Sequence, residues 1–201
     1  EKPYRRKHWE VAMAVSALNP VAKDGAEILG VGAGSEQTIF HLLNTGARVW
    51  ATDLYADPGG WHNYASATMM TSPEKHAPAG ADLSKLVVQH MDMRHLRFPD
   101  ESFDGVFSSG SIEHVGTLDD VARAAAEIGR VLKPGGVATL ATEFRVGGTV
   151  GQGWQGVILF DEAMIEQYIV KPSGLIRTSK PDYDVNEATI ATAFPLEKFV
   201  H

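Results

Sequence analysis

A chain of 201 residues with 44% hydrophobic and 21% charged residues fits one globular domain able to bury a sheet. Its net charge of -7 argues against an extended nucleic-acid surface, which needs clustered Lys and Arg, and the one dense basic run, Arg5 to His8, reads as a solvated terminus. The lack of cysteine excludes disulfides, thiolate metal sites and cysteine nucleophiles; no apolar run approaches the roughly 20 residues of a membrane span, so no membrane partner is expected and a cytoplasmic location is the default.

In chain order, Trp9 to Leu18 is an apolar, helix-like segment stopped by Asn19-Pro20, with Trp9 and Met13 expected to pack against a sheet edge. Ile28 to Val31 is an apolar run of the length of a buried parallel strand. Gly32, Ala33 and Gly34 then remove the side chains that would keep a ligand from the backbone, and Ser35 is placed to cap a helix over Gln37 to Asn44. Gly46 stops that helix. Ala47 to Thr52 reads as a second strand, delivering Asp53 at its carboxyl end, 19 residues after Gly34. An acid at about that distance past the glycines accepts hydrogen bonds from ribose hydroxyls in dinucleotide-type folds. A nicotinamide fingerprint also needs a third glycine, and neither register has one: counting from Gly30 the place holds Ser35, and from Gly32 it holds Gln37. The pattern is therefore G-x-G-x-G.

A long insertion follows, with Trp61, His62, Tyr64, Met69 and Met70 among turn residues. Farther on, an amphipathic helix ends at Lys133, Pro134-Gly135-Gly136 turns the chain, and Val137 to Ala141 enter another strand. The next loop carries Gly147, Gly148, Gly151, Gly153 and Gly156 around Trp154, a group large enough to close over a ligand. A helix-like stretch, Asp161 to Val170, leads to the turn Lys171 to Gly174, and Leu175 to Thr178 and Ala188 to Ala193 are candidates for two last strands. With Glu1 first and so little sequence for those strands, a fragment of a longer chain is expected.

Four motifs in order, ILGVGAG, ATDLY, QHMDMRHLRFPDESFDGVFSSGSIEHV and AEIGRVLKPGGVATLAT, resemble those of class I S-adenosylmethionine-dependent methyltransferases, within the type 11-like domain group, from about Glu27 to Phe160. The resemblance implies an α/β, Rossmann-like, doubly wound and mostly parallel sheet with helices on both faces. It implies a fourth strand over Phe103 to Ser109, and S-adenosylmethionine as cofactor with S-adenosylhomocysteine as product. The cofactor contacts it implies are Gly30, Gly32, Ala33, Gly34, Asp53, Leu54, Asp92, Met93 and Ser109, with Asp92 accepting from the adenine amino group and Met93 beside the ring. Two positions depart from the family pattern. The acid two residues before the first glycine of the turn is Gly30, leaving its task of orienting the methionine end to backbone groups, water or Glu27. The residue after Ser35, often glycine, is Glu36, for which a place in the first helical turn pointing to solvent is the ordinary reading.

Residues 1–201 are read as one domain: an N-terminal helical segment over 1–25, a cofactor core over 26–144, and substrate-side elements over 145–201, expected to be truncated. His114, after the fourth strand, is the candidate general base, with Glu113 and Glu143 nearby; the alternative for His114 is capping or packing the next helix. The expected reaction is methyl transfer to an oxygen of a small-molecule acceptor, a metabolite or sugar. The alternatives are an NAD(P)-binding oxidoreductase and a non-catalytic methyltransferase-like binding domain. No metal is implied: His90 and His95 flank Asp92 as parts of the adenine loop, and no H-E-x-x-H, G-x-S-x-G or P-loop lysine is present.

Overall fold

The computed structural model describes residues 6–57, 65–146, 156–180, 183–184 and 187. Trp61, His62, Tyr64, Trp154 and Ala188 to Ala193 lie outside them. Five strands, β1 (Glu27–Val31), β2 (Arg48–Asp53), β3 (Leu86–His90), β4 (Phe103–Ser109) and β5 (Leu132–Ala141), form one sheet in the order β3-β2-β1-β4-β5. Every pairing is parallel, so each connection must cross over the sheet, and the helices do this on both faces. The doubly wound α/β expectation holds. The order reverses between β1 and β4, which opens the crevice where ligands of such sheets bind.

Alternation along the strands supplies the two cores. Ile28, Val49, Ala51 and Phe107 face α1 (Arg6–Leu18) and α2 (Gln37–Leu43), burying Leu18, Ile39, Phe40 and Leu42, and the one-turn α3 (Thr68–Thr71) adds Met69 to this cluster. Leu29, Val31, Phe103 and Val106 face α4 (Leu118–Val131), burying Ile128 and Val131. On that side Trp50, Phe98 and Phe103 meet edge to face. A capping box, in which Thr117 and Asp120 each accept the other's backbone N–H, starts α4.

Several sequence expectations need correction. Trp9 and Met13 do not pack on the sheet; they are 59% and 50% exposed, and α1 buries Ala14 and Leu18 instead. Ser35 does not cap α2: Glu36 occupies the cap position and its side chain makes no capping bond. The helix before Lys-Pro-Gly-Gly ends at Val131, and Leu132 already pairs with Phe103, so the turn-like residues are an irregularity inside β5 rather than its boundary. Asp104 fastens it, its carboxylate taking Lys133 Nζ at 2.9 Å and the Glu27 N–H at 2.9 Å. Leu175 to Thr178 forms no strand. It follows a helical run of α5 (Glu162–Ile165), a wide π-turn (Glu166–Val170) and α6 (Lys171–Ser173). Pro172 explains the widening, because its ring would collide with the carbonyl of Tyr168 in a regular α-helix. The run lies against α4 so closely that a Cβ on Gly129 would meet the Ser173 carbonyl oxygen.

Candidate functional site

The crevice is lined by the turn after β1, the ends of β2 and β4, and the segment after β3. Gly32 has φ 62°, and a side chain there would run into Ser111 at 2.5 Å and Met93 at 2.9 Å. Only glycine keeps this backbone bare. The turn is tied to its neighbours at four points. Ala33 N–H donates to the Thr52 carbonyl at 3.0 Å, and Thr52 Oγ1 donates to the Gly30 carbonyl at 2.8 Å. Ser111 Oγ donates to the Gly32 carbonyl at 2.7 Å, and Tyr55 Oη to the Gly34 carbonyl at 2.6 Å.

Asp53 holds the same turn from the end of β2. Its Oδ2 accepts the Gly34 N–H at 2.8 Å and its Oδ1 accepts its neighbour Leu54 N–H at 2.7 Å. Burial pushes the carboxyl above its ordinary value, and the two N–H donors oppose that. A carboxylate has about four lone-pair positions, so two acceptor directions remain.

Asp92 is chelated by Arg94, whose Nε lies 3.0 Å from both oxygens and whose Nη2 lies 2.6 Å from Oδ2. This guanidinium holds the Asp92 carboxyl below the usual carboxylate range. Arg94 also reaches Asp120 at 3.5 Å, and Arg130 and Glu127 bind the backbone of Leu96, so the segment is pinned to α4. Met93 packs between the α4-side core and a further cluster of Ile112, Val121 and Phe160, beside Gly32. His90 Nδ1 accepts the Ala56 N–H at 3.1 Å, steadying the chain after β2 rather than the segment at Asp92.

Glu113 and His114 occupy a turn of 3-10 helix after β4 (Ile112–His114) and together clamp the start of the chain beyond Gly156. His114 Nδ1 is 2.9 Å from the Gly156 carbonyl, and Ile158 N–H donates to the Glu113 carbonyl at 2.9 Å. Since a carbonyl only accepts, Nδ1 carries the proton and the neutral ring has its lone pair on Nε2. Capping of α4 belongs to Thr117, not His114. The Glu113 carboxylate is 1% exposed and accepts from Thr142 Oγ1 at 3.0 Å; burial raises its pKa, with the nearby Glu143 adding to the effect. Phe160 N–H donates to the Glu143 carbonyl, so Glu143 also takes part in holding the segment by its backbone.

At the two departures the structure is specific. A Cβ on Gly30 would lie 2.5 Å from Phe107 Cζ and 2.8 Å from Ala33 Cβ, so the ring of Phe107 fills the space an acid would need. Glu27 does not replace it: its carboxylate accepts the Trp50 indole N–H at 2.6 Å, at the amino end of β1. Nor does Glu36 point to solvent. Its side chain is 13% exposed and pairs with Lys7 at 2.6 Å, while Lys7 also donates to the Ser109 carbonyl at 3.2 Å. Gly30, Gly32, Ala33, Gly34, Asp53 and Leu54 are thus joined through the hydrogen bonds of the turn, and Met93 lies beside Gly32, while Asp92 is held by Arg94, the Ser109 carbonyl by Lys7 and His114 by the Gly156 carbonyl. Sequence reading missed Lys7, Tyr55 and Ser111. Lys7 and Ser109 are separated by 102 positions, so no local pattern signals their contact.

The model of the methyltransferase domain family matches residues 29–140, more than half of the chain. A curated relative, the demethylmenaquinone methyltransferase of Thermobifida fusca, is 31% identical over 132 residues, which is 66% of this chain and 48% of that protein. The chain therefore spans about half the length of this relative. Among solved structures, the [4+2]-cyclase SpnF superposes with a TM-score of 0.60 at 18% identity, covering 83% of this chain and 57% of that one. An S-adenosylmethionine-dependent methyltransferase from Mesorhizobium loti gives 0.50 at 24% identity, covering 67% and 54%. Identities this low speak for the fold alone, whereas the family match covers the glycine turn, Asp53, Asp92 and the Lys-Pro-Gly-Gly irregularity together. The chain belongs to the class I S-adenosylmethionine-dependent methyltransferase family.

Proposed function

We propose that this protein transfers the methyl group of S-adenosylmethionine to an oxygen of a small metabolite or sugar, releasing S-adenosylhomocysteine. The observation that carries the reading is the crevice at the β1/β4 reversal, where a bare Gly32 backbone, the anchored Asp53 carboxylate and the Ser109 carbonyl converge. These groups fit the cofactor: a side chain on Gly32 would fill the crevice, and Asp53 keeps acceptor directions suited to ribose hydroxyls. Asp92 would accept from the adenine amino group, with Met93 against the ring and Leu54 beside the ribose. When bound, the cofactor supplies an electrophilic sulfonium methyl.

The protein's own task is then to hold the acceptor in line and take its proton. His114 is suited to it, because the bond from Nδ1 to the Gly156 carbonyl leaves the basic lone pair on Nε2. In this reading residues 26–144 hold the cofactor and 145–201 bear on the acceptor. A relative named for demethylmenaquinone is in keeping with a small-molecule acceptor. A second reading, a binding domain without catalysis, draws on Lys7 occupying the Ser109 carbonyl.

Calorimetric titration with S-adenosylmethionine, S-adenosylhomocysteine and NAD tests the reading. Micromolar binding of the first two supports it; binding of NAD alone would make the protein an oxidoreductase, and binding of none a non-catalytic domain. Once an acceptor is in hand, His114→Ala is expected to lower turnover by about 100-fold or more with S-adenosylhomocysteine affinity within about twofold of the parent. Equal losses in both would assign His114 to the clamp on Gly156 alone.

A further inference from the structure

Lys7 is held as a substrate ammonium would be. Its Nζ lies 2.6 Å from Glu36 Oε1, 3.1 Å from Glu10 Oε2 and 3.2 Å from the Ser109 carbonyl, a set matched to the three donors of a primary ammonium. Those acceptors come from the start of α2, from α1 and from the end of β4, beside the Gly32 turn. The two sides of the contact are unequal. Glu36 is 13% exposed and its Oε2 is buried with no hydrogen-bond partner among the described residues, whereas the Lys7 side chain is 47% exposed on a flexible stem. The carboxylate is thus a fixed, dry receptor with spare capacity, and the lysine is an occupant that solvent can receive. Burial keeps the Glu36 carboxyl above its ordinary value despite Lys7, with Glu10 and Asp53 adding repulsion, so the single cation leaves it incompletely compensated. A cavity of about 590 Å³ between α1 and α2, lined by Lys7, Val11, Val15, Ser35 and Glu36, gives the N-terminal helix room to move there.

Resting on the reading above, in which the cofactor carries an α-ammonium at its amino-acid end, we propose that Glu36 and the Ser109 carbonyl form an ammonium subsite. Lys7 fills it in the free protein, and cofactor and lysine compete for it. Glu36 thereby supplies the carboxylate that Phe107 leaves no room for at position 30.

The test compares S-adenosylhomocysteine, which has the amino-acid end, with 5′-methylthioadenosine, which lacks it, by calorimetry on the full chain and two variants. Lys7→Met removes the competitor and is expected to tighten S-adenosylhomocysteine binding about fivefold or more. Glu36→Gln removes the charged acceptor and is expected to weaken it about tenfold or more. In both variants methylthioadenosine should bind as to the parent, which also certifies that the variant is folded. Unchanged or weaker S-adenosylhomocysteine binding in Lys7→Met, or equal changes for both ligands, would overturn the subsite while leaving the methyltransferase reading standing. Failure of the parent to bind either ligand would instead overturn that reading and the subsite with it.

Discussion

Replacing Asp53 by alanine should damage fold and function together. Sequence alone suggests a carboxylate that serves only the cofactor, so that its removal would leave the fold intact. In the structure its oxygens also receive the Gly34 and Leu54 N–H groups at 2.8 and 2.7 Å. Gly34 is buried, so its N–H would have no acceptor in the variant, at about 1 to 3 kcal/mol; Leu54 is half-buried and water can serve it at less. Relief of a desolvated carboxylate offsets part of this loss. A net loss of about 2 kcal/mol lowers the melting temperature of a chain this size by roughly 4 to 8 °C. Losing an acceptor for the ribose should weaken S-adenosylhomocysteine binding by about tenfold to a hundredfold. Asp53→Asn keeps one acceptor oxygen but turns an NH2 toward the second N–H, so it should melt between parent and alanine variant while binding nearly as poorly. Thermal melts followed by circular dichroism and calorimetric titration read the two effects separately. An alanine variant that melts within about 1 °C of the parent would refute the anchoring role, and one that binds normally would refute the ribose role.

The pH profile of stability should have a defined shape. Burial raises the Glu113, Glu36 and Asp53 carboxyls, so these groups contribute stability that is present below their unfolded values near 4 and lost as pH rises through the folded ones. Asp92, lowered by Arg94, and Glu127, lowered by Arg130, act oppositely, contributing stability that is lost as pH falls through their folded values. The melting temperature is therefore expected to rise as pH is lowered from neutrality toward the ordinary carboxylate range and to fall again below it, and Glu113→Gln should flatten the rise; an unaltered slope in that variant would contradict the assignment. Gly129→Ala gains about 1 kcal/mol in helix propensity but puts a methyl into the Ser173 carbonyl, and overpacking of that kind costs about 1 to 3 kcal/mol. Its melting temperature should fall; a rise would mean that α6 moves aside freely.

What was legible in the sequence was what neighbours in sequence decide. β1 is an apolar run bounded by turn residues, and β4, whose limits the family resemblance implies, is observed at those limits, Phe103–Ser109. The glycine turn and Asp53 were readable because turn, helix and strand follow one another and bring the acid back to the glycines. Pro134, Gly135 and Gly136 speak locally for a turn and so start β5 only at Val137, whereas Asp104 and Lys133 hold them within the strand through contacts made only after folding. The composition of Leu175 to Thr178 suits a strand, yet Leu175 packs on the α4-side core while Ile176 is 93% exposed, and neither pairs with the sheet.

The two departures in the first motif are understood only in three dimensions. Taken separately, Gly30 deletes a useful acid and Glu36 adds an unwanted one beside an anion-tolerant helix start. Taken together, they move a carboxylate from a place that Phe107 occupies to one that adjoins the same turn. The move has a physical consequence. A carboxylate projecting from inside a strand is fixed by the sheet, but one at the head of α2 faces the start of α1 and is paired there with Lys7. On the proposed subsite, cofactor affinity would depend on a lysine that precedes the matched family segment, residues 29–140, altogether. The turn is tied at four points, and the displaced carboxylate holds the Lys7 ammonium through one oxygen while the other is buried with no hydrogen-bond partner among the described residues.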